Sequence, residues 1–224
     1  RFRNKLIESG KFEKLFNEVN RQLEEHGLKI KNADVAIVDA TIISANARPR
    51  KVIEANEEDN SSTTYSADTD AKWLKKGKNY YFGYRGFARS DAEGFIDKTH
   101  VKPANSSETK ELDKMTDDLP EGIRVQADKG FFSAANKAML KSKKLKNGLM
   151  YKAFRNKPLT RRMVQFNKLI SKTRWRIEQC FGTIKRRFTF QKASYFTTIK
   201  VDAQFKMKAM CHNLIKAVNK IEFV

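Results

Sequence analysis

Val35-Ala36-Ile37-Val38-Asp39 is an apolar, β-branched run that ends on a carboxylate. Four residues of this kind, bounded by a polar turn, predict a buried strand. An acid closing such a strand faces a desolvation penalty unless a cation or hydrogen bonds offset it. A second stretch repeats the pattern: Ile123-Arg124-Val125-Gln126-Ala127 leads into Asp128 after the turn Pro120-Glu121-Gly122. If the two strands lie side by side, Asp39 and Asp128 stand a few ångströms apart. Like charges that close need a divalent cation, or one of them takes a proton. The plain reading of either aspartate alone is a cap on the following turn.

Working outward, residues 12 to 23 place Phe12, Leu15, Phe16, Val19 and Leu23 at helical spacing, with Ser9 as the expected cap and Gly27 as the stop. Residues 44 to 70 lose all periodicity and predict a long loop. In it the acids Glu57-Glu58-Asp59 form a solvated stretch ahead of Ser61-Ser62-Thr63-Thr64. Order returns at Trp73. Asn79 to Phe87 predicts a strand and Gly94 to Val101 its hairpin partner, followed by a short helix from Thr109 to Met115. Ser133 is placed to cap a helix through Leu140, and Leu149-Met150-Tyr151 predicts one more strand. One long helix runs from Thr160 to about Arg187 on the stripe Met163, Phe166, Ile170, Ile177, Phe181, Ile184 and Phe188, and a last covers Val201 to Val218. Three early strands followed by alternating helices and strands give an α/β fold, a mixed sheet flanked by helices in the order of a ribonuclease H-like domain.

Charge narrows the partners. The 224 residues carry 46 Lys and Arg against 26 Asp and Glu, a formal +20 with a pI near 9.9. Such an excess calls for a polyanion, and nucleic acid is the usual one. Between residues 141 and 190 there are 16 Lys or Arg and a single acid, Glu178. Arg174 and Lys185 stand four residues before and seven after it, close to the same helix face. The plain reading is an ordinary Arg–Glu helix pair; the other is a third metal ligand among cations that grip phosphates. Three such carboxylates can position two divalent ions for in-line attack on a phosphodiester, and hard oxygen donors suit Mg²⁺. No apolar run approaches the roughly 20 residues a bilayer needs, and no signal-peptide block opens the chain. Cys180 and Cys211 lack metal spacing and read as reduced thiols.

These stretches resemble a known family, the bacterial insertion-sequence transposases of the DDE superfamily, in the group of the insertion sequence numbered five. The likeness rests on Val38-Asp39-Ala40-Thr41, on Ala127-Asp128-Lys129-Gly130-Phe131 and on Arg174-Trp175-Arg176-Ile177-Glu178-Gln179-Cys180-Phe181-Gly182-Thr183-Ile184-Lys185. The last block carries the family's arginine, three residues, glutamate, six residues, lysine spacing. Trp73, Gly83-Tyr84-Arg85, Pro103-Ala104-Asn105 and His212-Asn213-Leu214 resemble weaker landmarks, so the likeness extends from Asp34 onward. The resemblance implies metal-dependent cleavage at the ends of a mobile DNA element and joining to target DNA, with Mg²⁺ or Mn²⁺, as two ions, held by Asp39, Asp128 and Glu178. It implies DNA contacts at Arg174, Lys185 and, more weakly, Lys129. It also implies double-stranded DNA partners, a homodimer pairing two ends, no membrane association and a cytoplasmic, nucleoid-associated location.

Two positions depart from the pattern. Ser171 stands where the family often has tyrosine three residues before the arginine, and Phe131 stands where tyrosine is common. The opening Arg1-Phe2-Arg3-Asn4 resembles the middle of such proteins. The expected organisation is therefore a helical remnant of an N-terminal region over 1–30 and a catalytic domain over 31–224. A truncated or repurposed copy, acting as a non-catalytic DNA-binding protein, is the rival function, and a ribonuclease on the same fold is a third. Trp73, Tyr80, Tyr81 and Tyr84 are expected in the core rather than stacked on bases, and His100 and His212 are expected to be structural.

Overall fold

The computed structural model describes residues 2–30, 33–51, 64–65 and 67–221. Among them, helices α1 (Phe2–Glu8) and α2 (Lys11–Glu25) precede strand β1 (Val35–Ser44). The short strands β2 (Arg50–Lys51) and β3 (Thr64–Tyr65) pair with each other. There follow β4 (Lys72–Lys76), β5 (Asn79–Ser90), β6 (Ile96–Pro103), α3 (Glu108–Met115), β7 (Arg124–Ala127), α4 (Ala134–Ser142), β8 (Lys146–Leu149), α5 (Arg161–Arg187) and α6 (Thr198–Val218).

Strand β1 is the axis of the sheet. One edge pairs antiparallel with β5, from Ile37 opposite Ser90 to Ser44 opposite Gly83. The other pairs parallel with β7, from Val35 opposite Arg124 to Val38 opposite Ala127, and β8 continues that side in parallel. The far edge of β5 carries β6 and, at its N-terminal end, β4. The order β6-β5-β1-β7-β8, three antiparallel strands and then two parallel ones, is that of a ribonuclease H-like mixed sheet.

Side chains alternate across β1, and each face makes its own core. Ile37 and Ile43 pack with Ile177, Phe181 and Ile184 of α5, with Val201, Phe205 and Ala209 of α6, and with Phe16 of α2. Ala36 and Val38 on the opposite face pack with Leu112 and Met115 of α3 and Leu140 of α4. The helices therefore cover both faces of the sheet.

Local chemistry explains most boundaries. Ser133 Oγ accepts from Asn136 N at 3.0 Å, and Thr160 Oγ1 accepts from Met163 N at 3.3 Å, so α4 and α5 start at the expected hydroxyls. Ser9 does not cap α2: its hydroxyl turns back to Leu6 O at 3.3 Å, ending α1, and Gly10 in the left-handed region takes the cap position. The strand expected at 149–151 lies earlier, at Lys146–Leu149, because pairing with β7 decides it rather than apolar content. Helix α6 begins at Thr198, where Asp70 Oδ2 accepts from Thr198 N at 2.8 Å. The stretch read as an aperiodic loop contains β2 and β3, and the buried Asp68 accepts from the Tyr84 hydroxyl. The acids Glu57-Glu58-Asp59 and Ser61 to Thr63 lie outside the described residues.

Two of the aromatics expected in the core are on the surface. Tyr84 is fully buried, but Trp73 is 46% and Tyr80 63% exposed. They sit on the β4–β5 hairpin, which runs past the covering helices, so one of its faces meets solvent. His212 is buried with Nε2 3.1 Å from Gly94 O, and His100 lies 3.3 Å from Glu111. Burial and four surrounding lysines push His100 down to about 3, which suits a structural histidine. Cys180 is a buried and Cys211 an exposed free thiol. Among the described residues, no helix is long and apolar enough to cross a membrane.

Candidate functional site

Asp39 does not end its strand. Strand β1 continues five residues beyond it along β5, to Ser44. It is β7 that stops, at Ala127 opposite Val38, so Asp39 and Asp128 are the first residues past the end of that parallel pairing. The notch left by the short β7 puts two carboxylates at the same level on adjacent strands, which lie about 4.8 Å apart.

Asp39 shares a face of β1 with Ile37 and Ile43, the face packed on α5. That packing fixes where α5 crosses the sheet. A hydrogen bond from Thr173 Oγ1 to Gln126 Oε1 ties the helix to β7 two residues before Asp128. Asn167 adds a reciprocal pair, accepting from Tyr151 N at 2.8 Å and donating to Tyr151 O at 3.0 Å. The next residue after Thr173 is Arg174, and its guanidinium reaches all three acids. Nη2 lies 3.4 Å from Asp39 Oδ2 and also donates to Glu178 Oε1, while Nη1 lies 3.9 Å from Asp128 Oδ2. Three acids from β1, from the turn after β7 and from α5 thus converge on one cation.

Backbone donors orient two of them. Asp128 Oδ1 accepts from Gly130 N at 2.7 Å, and Asp39 Oδ1 accepts from Ala40 N at 2.9 Å. Burial pushes the Asp39 carboxyl up to about 6, against the pull of Arg174 and the Ala40 amide, with Asp128 and Glu178 adding repulsion. One guanidinium therefore under-neutralises three carboxylates.

The donor set is all oxygen and anionic, the chemistry that hard divalent cations prefer. Among the described residues, however, no three His, Cys, Asp or Glu side chains stand close enough to chelate one ion as placed. The Arg174 guanidinium bridges them instead. The residues fit such an ion in donor type and in convergence, and Arg174 would have to turn away for all three to close on it.

The other expected contacts divide. Lys129 is exposed and lines a cleft of about 340 Å³ with Asp128, Met150, Ser171, Arg174 and Glu178, so it stands with the acids. Ser171, in place of the family's tyrosine, faces that cleft. Phe131 is fully buried in the second core, edge-on to Phe87. Lys185 is half-buried and joined to the three acids by no ion pair or hydrogen bond among the described residues. Burial and the nearby Lys76 lower its pKa.

Sequence reasoning missed Glu108. Its Oε1 lies 3.2 Å from Arg85 Nη1, and its Oε2 closes over Gly130, where an added Cβ would lie 1.8 Å away. A larger residue at 130 would displace the Glu108 carboxylate from the turn that orients Asp128. Glu108 reads in the sequence only as an acid in a helix's first turn, and no spacing links it to Asp128.

The family model described as "Transposase DDE domain" matches residues 31–214. The chain is 47% identical over 224 residues to the transposase for insertion sequence element IS1106 of Neisseria meningitidis serogroup B, covering 99% of this chain and 78% of the relative. Among solved structures it is similar, at 8% identity, to the catalytic domain of Mos1 mariner transposase, covering 95% of each chain with a TM-score of 0.26. A pre-cleavage Mos1 transpososome also matches at 8% identity, covering 93% of this chain and 62% of that one, with a TM-score of 0.30.

Proposed function

The chain belongs to the transposase DDE-domain family, and from that membership we propose that Asp39, Asp128 and Glu178 are its catalytic carboxylates, cleaving DNA at the ends of an insertion sequence and joining it to target DNA. The observation that carries the residue assignment is the convergence of these three acids, from three separate elements, on the single guanidinium of Arg174. Residues 31–224 are proposed as the catalytic domain. Helix α2 docks onto it through Phe16 and Leu23.

The carboxylates would hold Mg²⁺ or Mn²⁺, as two ions, which when bound supply Lewis acidity to the phosphodiester and a deprotonated oxygen nucleophile. The chain's own residues prepare that chemistry. The amides of Ala40 and Gly130 fix the orientation of Asp39 and Asp128. Glu178, the most exposed of the three, borders the cleft and completes the set from the helix side. Arg174 is positioned to leave the carboxylates for a DNA phosphate, a bidentate partner that suits a guanidinium. Lys129 and Lys185 are proposed as further phosphate contacts, and two copies of the chain as the unit that pairs two ends.

The test is DNA carrying the element's own ends, incubated with and without Mn²⁺, with wild-type protein and with Glu178→Gln. Metal-dependent nicking or strand joining, lost in Glu178→Gln, is the expected result. Equal binding by both proteins with no cleavage by either would sink the catalytic assignment and favour a DNA-binding role without chemistry.

A further inference from the structure

The β4–β5 hairpin is absent from the site just described, yet it leaves the sheet at the carboxylate end. Strand β5 runs antiparallel to β1, with Ala88 opposite Asp39 and Gly83 opposite Ser44. Its first residues, 79 to 82, reach beyond the end of β1 and pair with β4. The ribbon therefore runs past β1 on the side where Asp39 and Asp128 lie. Gly77, at φ 62°, makes the tight two-residue turn with Lys78.

The composition of this ribbon is unlike that of a structural one. Lys72-Trp73-Leu74-Lys75-Lys76-Gly77-Lys78-Asn79-Tyr80 carries four lysines and no acid. Trp73 and Tyr80 are the exposed aromatics of the hairpin, and Lys75 Nζ lies 5.3 Å from the centre of the Tyr80 ring. Exposed aromatics interleaved with lysines match a nucleic-acid strand, offering ring faces to bases and cations to phosphates.

A cleft of about 370 Å³ joins the ribbon to the carboxylates. Its walls are Leu74, Lys75 and Lys76 from β4, Arg85 from β5, Ala40 to Ile42 from β1, and the turn that holds Gly130. Ala40 follows Asp39, and Gly130 N is the donor to Asp128, so the cleft opens beside both aspartates. Arg85 is paired with Glu108 at 3.2 Å, yet its buried Nε has no hydrogen-bond partner. Lys76 also stands near Lys185 at the α5 side. Lysines converge here on a wall with one acid, Glu108, and that acid is already paired.

We propose that the β4–β5 hairpin and the cleft it lines hold the DNA flanking the scissile phosphate, with Lys75 and Lys76 on backbone phosphates and Trp73 and Tyr80 against bases. The inference rests on the transposase reading above and adds to it a DNA-holding element outside the three motifs.

The chain has two tryptophans, so Trp175→Phe leaves Trp73 as the sole reporter. The probe is a short labelled duplex with a single-stranded 3′ end, titrated in buffer without divalent metal while anisotropy records binding. Trp73 emission is expected to be quenched in step with saturation. In a second arm, Lys75→Gln/Lys76→Gln, both exposed, is expected to weaken binding about tenfold and to flatten the log–log salt slope by about two. The control pair Lys141→Gln/Lys146→Gln, near the opposite end of the parallel strands, provides the baseline for a general loss of charge. Saturable binding with unmoved Trp73 emission, or a salt slope equal to that of the control pair, overturns the hairpin assignment alone. Failure of the wild type to bind the duplex at all would overturn the transposase reading with it.

Discussion

Two arginines on this sheet each face several carboxylates, and they are built to opposite ends. Arg89 on β5 is 3% exposed and closely bonded: Nε donates to Asp97 at 2.8 Å, Nη1 to Met115 O at 2.8 Å, and both terminal nitrogens to Asp118 at 2.6 and 2.8 Å. Although burial works against it, these bonds hold Asp118 well below the usual carboxylate range. Arg174 donates closely to Glu178 but meets the two aspartates loosely, at 3.4 and 3.9 Å, and the buried Asp39 is pushed up to about 6 rather than down. A closed, fork-matched cluster spends its electrostatics on the fold. An open, under-neutralised one keeps its charge for something that arrives.

The comparison breaks most visibly at Arg89. Arg89→Leu leaves Asp97 and Asp118 without their shared cation and Met115 O without its donor. Asp97 and Asp118 stay partly open to water, so the expected cost is that of the lost charged hydrogen bonds and the unpaired Met115 carbonyl, about 2–3 kcal/mol by urea unfolding. Arg174→Leu should cost less, since Arg174 makes two side-chain hydrogen bonds, one of them long, where Arg89 makes four. Equal losses at the two sites would erase the distinction between a structural and a functional cluster.

Aspartates in the two clusters should also respond to pH with opposite sign. Asp39 has a folded-state value near 6 against 3.8 for the free group. Its contribution is present below 3.8 and is lost as pH rises through about 6, a change of up to about 3 kcal/mol. Asp39→Asn should therefore stabilise the metal-free protein by about 1–3 kcal/mol above pH 6, and by almost nothing below 3.8. Asp118 is depressed, so its contribution is present above 3.8 and fades as pH falls; Asp118→Asn should destabilise at neutral pH. Mn²⁺ at a hundred times its Kd would add about 2.7 kcal/mol to the wild type, a gain that Asp39→Asn forgoes. Thermal melts across pH, with and without Mn²⁺, read all three signs.

What was legible in the sequence follows the same division. The strand order could be read because Ile37, Val125 and the α5 stripe carry their partners' periodicity, and helices α4 and α5 begin at capping hydroxyls that any chain reader can see. The three acids were singled out by the resemblance of their motifs, and they converge on Arg174. The reason Asp39 is reachable was not legible, because it depends on β7 stopping at Ala127 while β1 runs on. Arg89 passed unnoticed, since its partners lie 8 and 29 residues away on other elements and leave no periodic trace. Trp73 and Tyr80 were read as core because aromatic strand residues usually are; that the ribbon runs past its covering helices is a tertiary fact.

The smallest expected effect tests whether proximity to a cluster is enough to matter. Lys98 on β6 hydrogen-bonds Asp117 and lies 2.9 Å from Asp118, on the rim of the Arg89 cluster. Both acids are 53% exposed, so water and salt already screen them, and holding a long lysine in one geometry costs side-chain entropy. Lys98→Met should lower stability by no more than about 1 kcal/mol, and half-molar salt should remove most of the difference. Asp118 keeps its bidentate bond from Arg89 in this variant, so the cluster stays closed and metal-dependent DNA cleavage is expected at the wild-type rate. A loss approaching that of Arg89→Leu would mean that the network acts as one cooperative unit. The contrast with Arg174 would then rest on the number of charges engaged rather than on how well one guanidinium is matched.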